Sequence, residues 1–231
     1  MPVKMEVASG EAPSTACELC ATRERCLFYS LPVPSGHPVK NKITERTVDA
    51  GETIEVQGTR VTKIGVIKMG LIKGMRANRQ NDNKAIVLLG RGRLIGLPGV
   101  FHMPSQLGFV AALPSRLCEL DLTLLNELAA HHSTIQDSLF IHAGVRMGCI
   151  MEWSSILREE SHLQRLCNAL QLIAIEEGNS AFRIPSHADL ASLLGSRRET
   201  IARSMATLIR RGKFRKVGRW HGFLTSEHCD D

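Results

Sequence analysis

Ala191-Ser192-Leu193-Leu194-Gly195-Ser196-Arg197-Arg198-Glu199-Thr200-Ile201-Ala202-Arg203 is the stretch that decides the fold of the C-terminal third. Just upstream, Ile184-Pro185 breaks the chain before Ser186, a residue suited to cap a helix, with Asp189 three positions on. A first helix then runs through Ala188, Leu190, Ala191, Leu193 and Leu194, and Gly195 turns the chain. Ser196 is expected to cap a second helix, with Glu199 at the capping-box position. Ile201, Met205, Leu208 and Ile209 give that helix an apolar face to bury against the first. Arg198, Glu199, Ala202 and Arg203 lie elsewhere on it, near its start. Residues 213–217 and 222–225 flank a turn at 218–221 and read as a two-stranded wing. Together these form a winged helix-turn-helix, a module that lays the free end of its second helix in the major groove of DNA. Arginine bonds two acceptors of guanine at once, and glutamate accepts from the cytosine amino group. The expected DNA contacts are Ser196, Arg197, Arg198, Glu199, Ala202 and Arg203.

Charge supports this assignment. Residues 197–219 hold nine basic side chains against the single acid Glu199, a local charge of +8. The whole chain carries +6, so the remainder sums to −2. A basic patch confined to one end is what binding to a phosphate backbone requires. The rest of the composition is ordinary: 231 residues, 43% hydrophobic and 23% charged, enough for one large domain or two smaller ones. No apolar run approaches the roughly 20 residues that span a bilayer. Residues 1–15 lack the apolar core of a signal peptide, so the expected location is cytoplasmic.

Working back toward the N-terminus, residues 161–178 read as an amphipathic helix with Leu163, Leu166, Leu170 and Ile173 on one face, stopped near Gly178. Before it, one long helix is expected over 122–158. Gln136, Phe140, Ala143, Met147, Ile150, Ser154 and Leu157 step along it by fours and threes, the spacing of a coiled-coil seam. Phe140, Ala143, Met147, Ile150, Ser154 and Leu157 are therefore the expected homodimer interface, which a reader of palindromic double-stranded DNA needs. Gly144 and Gly148 weaken the helix by roughly 1 kcal/mol each, or let two helices approach closely.

Between 43 and 120 the pattern is short β-like runs broken by turn residues, which suggests a small sandwich or jelly-roll barrel. Asn81-Asp82-Asn83 reads as a hairpin turn inside it. A proline-rich connector occupies 31–38. The expected class is α+β, divided into a cysteine-rich segment (1–30), a β-roll (31–121), a dimerisation helix (122–158) and a winged helix-turn-helix (159–231). Cupin-like catalysis in the roll needs several converging histidines, and His102 is the only one between 43 and 120, so an enzyme is not expected.

The cysteines form the second constellation. Cys17, Cys20 and Cys26 sit together on the N-terminal segment, and Cys118 sits at the end of the β region. Four thiolates on two distant segments suit a tetrahedral zinc or an iron–sulfur cluster, and spacing alone does not choose. Cys149, Cys167 and Cys229 fall outside this set.

The stretch quoted at the outset resembles the CRP/FNR regulators, and residues 17–228 fit their plan of β-roll sensor, long dimer helix and C-terminal winged helix. The two-then-five cysteine spacing, followed after 91 residues by Cys118, is similar to FNR-type oxygen sensors. That resemblance implies a [4Fe-4S] cluster on Cys17, Cys20, Cys26 and Cys118, lost to oxygen or nitric oxide, with loss of pairing and of DNA affinity. It also implies contact with RNA polymerase. Haem or structural zinc are the alternative sensors. No cyclic nucleotide is expected, because the Gly-Glu and Arg-Ser that would hold its phosphate are missing from residues 92–109. Two departures matter. Arg198 and Ala202 replace the small apolar residue and the serine of FNR-like helices, giving the CRP-like Arg-Glu-x-x-x-Arg and a half-site nearer TGTGA than TTGAT. Ile150 stands where related sensors tend to carry an acid, which is expected to keep the cluster-free protein partly dimeric.

Overall fold

A computed structural model describes residues 17–34, 37–77, 82–179, 181–218 and 221–225. Residues 1–16, Asn81, Arg219 and Cys229, read above from sequence, lie outside them. The β region is a roll of two four-stranded antiparallel sheets. One has the order β1 (Thr44–Val48), β8 (Ser115–Asp121), β3 (Lys63–Met69), β6 (Leu94–Ile95). The other runs β2 (Thr53–Glu55), β7 (Gly108–Ala111), β4 (Ile72–Ala77), β5 (Asn83–Leu89). The strands bury Ile64, Val66, Ile67, Val87 and Leu89 inward, as runs rich in β-branched and aliphatic residues should. A short helix α1 (Leu97–Val100) follows β6.

Beyond the roll lie α2 (Leu122–His131), α3 (Ser133–Ile156) and α4 (His162–Glu177), then α5 (His187–Leu193) and α6 (Arg198–Arg210). A three-stranded sheet of order β10 (Phe214–Lys216), β11 (His221–Leu224), β9 (Phe182–Arg183) closes the C-terminal end. The expected architecture of roll, long helix and winged helix-turn-helix is the one observed.

Three details differ from the sequence reading. The single helix expected over 122–158 is broken at His132, which takes extended angles (φ −135, ψ 98). His and Ser are weak helix formers there, and Gln136 Nε2 donates to the freed Ala129 carbonyl at 3.0 Å. Ser196 does not cap α6. That position belongs to Arg197, which makes no side-chain cap bond, and the Ser196 hydroxyl is buried without a hydrogen-bond partner. The third strand of the wing sheet, β9, was too short to show in sequence. The caps at Ser186 and Gly178 are as expected: Asp189 N donates to Ser186 Oγ at 3.1 Å, and Gly178 ends α4 with left-handed angles.

Two apolar cores position everything else. One joins the β2/β7/β4/β5 sheet to Cys149, Trp153 and Ile156 of α3 and to α4, α5 and α6. The other joins Leu27, Phe28 and Leu31, just after the clustered cysteines, to Ile64, Val66 and Leu120 of the roll and to Ile135 and Leu139 of α3. The cysteine segment and the front half of the long helix thus share one core.

Candidate nucleic-acid interface and cysteine cavity

Helix α6 buries Ile201, Met205 and Leu208 against α4 and α5. Gly195 allows the tight turn before it, with φ +56, a backbone region that costs a non-glycine residue steric strain. Arg197, Arg198, Glu199 and Arg203 are exposed on the opposite side, and Ala202 is half-buried between them. Neither Arg198 nor Glu199 has a hydrogen-bond or ion-pair partner among the described residues, so both are available to a ligand. Arg203 reaches only Thr200 Oγ1, at 3.5 Å. Ser196 is half-buried with its hydroxyl oxygen buried, and its amide donates to Ala191 O at 2.9 Å. In the wing, Arg215 lies 5.8 Å from the Phe223 ring centre, and Arg215 and Lys216 are exposed. The tip of the Phe214 ring lies against Gly222, where a Cβ would stand 2.1 Å from it, so the two wing strands pack closely on each other.

The four cysteines line a separate cavity against the roll. Cys118 lies in mid-sheet on β8, opposite Glu45 of β1 and Val66 of β3. Cys17, Cys20 and Cys26 lie on consecutive turns: Cys20 N donates to Cys17 O at 3.2 Å, and Cys26 N to Arg23 O at 3.2 Å. Thr22 Oγ1 donates to Lys68 O at 2.7 Å and ties these turns to β3. All four cysteines line one cavity of about 130 Å³, together with Phe28, Tyr29, Ile43, Glu45 and Lys68. Among the described residues no three ligating side chains are drawn together closely enough to hold a metal ion as they stand.

Burial pushes the Cys118 thiol up to about 12, against the pull of Lys68, and burial likewise raises Cys17 and Cys26. Such thiols are neutral near pH 7. Thiolates are the ligating form, so a cation that binds here must displace protons. The donor set therefore fits a thiolate-held metal group: four sulfurs on one cavity, with Arg23 and Lys68, the latter bonded to Glu45 at 2.5 Å, as adjacent positive charges. Spacing did not reveal Lys68, whose proximity depends on the pairing of β3 with β8.

Helix α3 is apolar on two sides. Phe140 and Met147 are more than 60% exposed, and Ser154 and Leu157 are also exposed. Ala143 and Ile150, expected in the same seam, instead pack half-buried on the chain's own cores. Ile150 is half-buried, so part of it packs on its own chain and part remains exposed. The outward stripe also takes in Ile141 and Met151, residues the four-three count passed over. Phe101 extends it from the roll, its ring 6.5 Å from that of Phe140. Nothing lies within 4 Å of a Cβ placed on Gly144 or Gly148. Between helix and roll, Arg146 Nη2 donates to Leu94 O at 2.7 Å, and its guanidinium lies 5.3 Å from the Phe109 ring centre.

Comparison with known proteins matches the two halves separately. Residues 45–132 match the cyclic nucleotide-binding domain family, and residues 164–224 match the Crp-like helix-turn-helix domain family. A probable transcriptional activator of Rhizobium leguminosarum bv. viciae is 26% identical over 224 residues, covering 93% of this chain and 90% of that one. Electron transport regulator A of Shewanella oneidensis is 23% identical, covering 87% and 81%. Among solved structures, FixK2 from Bradyrhizobium japonicum superposes with a TM-score of 0.71 at 15% identity, covering 80% of this chain and 93% of that one. The first relative is named as a probable transcriptional activator and the second as a regulator.

Proposed function

The chain is a DNA-binding transcription regulator of the CRP/FNR type, and from that premise we propose that it binds palindromic DNA as a homodimer under the control of a [4Fe-4S] cluster on Cys17, Cys20, Cys26 and Cys118. The observation that carries the sensor reading is the shared cavity: four cysteines, three from one segment and one from mid-sheet, line a single space. A cluster held there would supply redox lability toward oxygen or nitric oxide. The chain's own residues do the rest. Leu27, Phe28 and Leu31 hold the cysteine segment in the same core as Ile135 and Leu139 of α3, so the position of that segment bears on the pairing helix. Phe140, Met147 and Met151 offer the partner an apolar face. Arg146 and Phe109 occupy the space between roll and helix, which favours regulation without a cyclic nucleotide. The protein acts in the cytoplasm, and RNA polymerase is its further partner where it activates.

The test is anaerobic reconstitution with iron, sulfide and zinc analysis, followed by spectra and DNA binding before and after air. Iron and sulfide near four each, with visible absorption bleached by air and a parallel fall in DNA affinity, is the expected result. Zinc alone, or no bound metal, overturns the sensor reading.

Sequence preference supplies a second test. Arg198, exposed and without a partner among the described residues, is proposed to read an outer guanine, giving a half-site nearer TGTGA than TTGAT. Arg198→Ala should cost about 1–3 kcal/mol on the preferred site and flatten preference at that one base. Binding-site selection that returns thymine there for the unaltered protein rejects the assignment.

A further inference from the structure

Glu176, in the last turn of α4, has a side chain with no exposure at all. The turn between β5 and β6 surrounds it. Gly90 N donates to its Oε2 at 2.8 Å, and Arg93 Nε donates to both carboxylate oxygens at 2.9 Å. Arg93 Nη2 also bonds Oε1, and Arg91 N donates to the Glu176 backbone carbonyl at 2.9 Å. Gly90 has no room for a side chain, since a Cβ there would stand 2.4 Å from the Glu176 carbonyl oxygen. The turn is itself fastened to β3: Gly92 N donates to Ile67 O at 2.8 Å, and Ile67 N to Arg93 O at 2.9 Å. A segment of the roll thus grips the end of a helix that packs on α6.

The far side of the same turn touches the cysteine segment. A Cβ on Gly92 would come within 2.5 Å of the Arg25 Cβ, so the two backbones are in close contact. Arg25 Nη1 also points at Ile175 O, 3.5 Å away, the residue before Glu176. Arg25 directly precedes Cys26. A buried carboxylate tolerates little drift of its partner, because partial separation leaves a desolvated charge unpaired. The contact is accordingly held or released as a unit.

We infer that Arg93 and Glu176 are a positioning pair, through which the cysteine segment, by way of Arg25, sets the placement of the DNA-reading domain. This rests on the sensing function proposed above for what displaces residues 17–30. The route from Arg25 to α4 does not depend on which metal group does so.

A double-mutant cycle of Arg25→Ala and Glu176→Gln in the full-length protein tests it. The readouts are affinity for a palindromic duplex obtained by binding-site selection, and amide exchange over residues 170–177. Each single change should weaken binding by about tenfold, and the pair by little more than Glu176→Gln alone, the signature of residues acting in series. Arg25→Lys, which keeps the charge and most of the stem, should restore affinity. If the two effects simply multiply, the inference is overturned. Should Glu176→Gln fail to fold, the neutral pair Arg93→Gln with Glu176→Gln takes its place in the cycle, read the same way. Metal content of the unaltered protein separates the two claims. Unloaded protein with a non-multiplicative cycle rejects the sensor and keeps the positioning pair, while loaded protein with multiplicative effects rejects the pair alone.

Discussion

Replacing Trp153 by alanine is expected to lower the unfolding free energy by about 4 kcal/mol. Trp153 is fully buried and heads the largest buried side chains of the molecule. It projects from α3 into the core that the roll shares with α4, α5 and α6. Its indole Nε1 donates to Leu88 O at 3.3 Å, while Cys149, one turn earlier on α3, stands 3.9 Å from the same carbonyl. Truncation leaves a cavity in that shared core and removes the indole donor from that carbonyl. Because this core is continuous between roll and helix-turn-helix, both should melt at a lower denaturant concentration. A urea titration followed by circular dichroism measures the shift in midpoint. Leu19→Ala, at a site 89% exposed, is the control and should change stability by no more than about 0.5 kcal/mol. A loss below about 1.5 kcal/mol for Trp153→Ala would show a looser junction than the packing implies.

The difference between what was legible in sequence and what was not follows the range of the interactions. Ser186, Gly178 and Gly195 act on backbone within a few residues of themselves, so their caps and turns can be read directly. The face of α6 is also local, set by helical period, and Arg198, Glu199 and Arg203 emerge exposed as the pattern demands. Ser196 shows where local rules compete. Its amide closes the preceding helix on Ala191 O at 2.9 Å, and that commitment leaves Arg197 to open α6. The break at His132 is similar, because a continuous apolar period hid a single residue of extended backbone. The cysteine spacing was visible, but that Cys118 meets the other three follows from β8 lying between β1 and β3. Long-range polar pairs left no trace at all. Lys73 with Asp189 and Arg93 with Glu176 join the roll to the C-terminal domain across 116 and 83 positions, and no local pattern marks either partner. Depth on α3 was equally invisible, since Ala143 and Ile150 keep the seam's period while serving their own chain.

Met147→Glu should leave the protein monomeric and reduce affinity for a palindromic site by about a thousandfold or more, toward its non-specific level. Met147 is 64% exposed on an otherwise folded chain, in a stripe with Phe140, Ile141 and Met151. Monomeric proteins rarely leave so contiguous an apolar face to water. A two-fold axis along α3 would set each such residue against its own copy. Gly144, about one turn before it, and Gly148, the next residue, carry nothing that would hold a second helix away. Close approach is what makes the substitution severe: two carboxylates would face each other in a space narrowed by glycine, with no cation of the stripe to compensate. The same exposure protects the fold, because in the monomer residue 147 points to water and glutamate is a good helix former. Circular dichroism and the unfolding midpoint should therefore stay near those of the unaltered chain while sedimentation reports half the mass. DNA binding would then fall because only one half-site is engaged at a time, with Arg198, Glu199 and Arg203 themselves untouched. A variant that remains dimeric with unchanged affinity would place the pairing surface elsewhere, and the exposed stripe on α3 would need a different occupant.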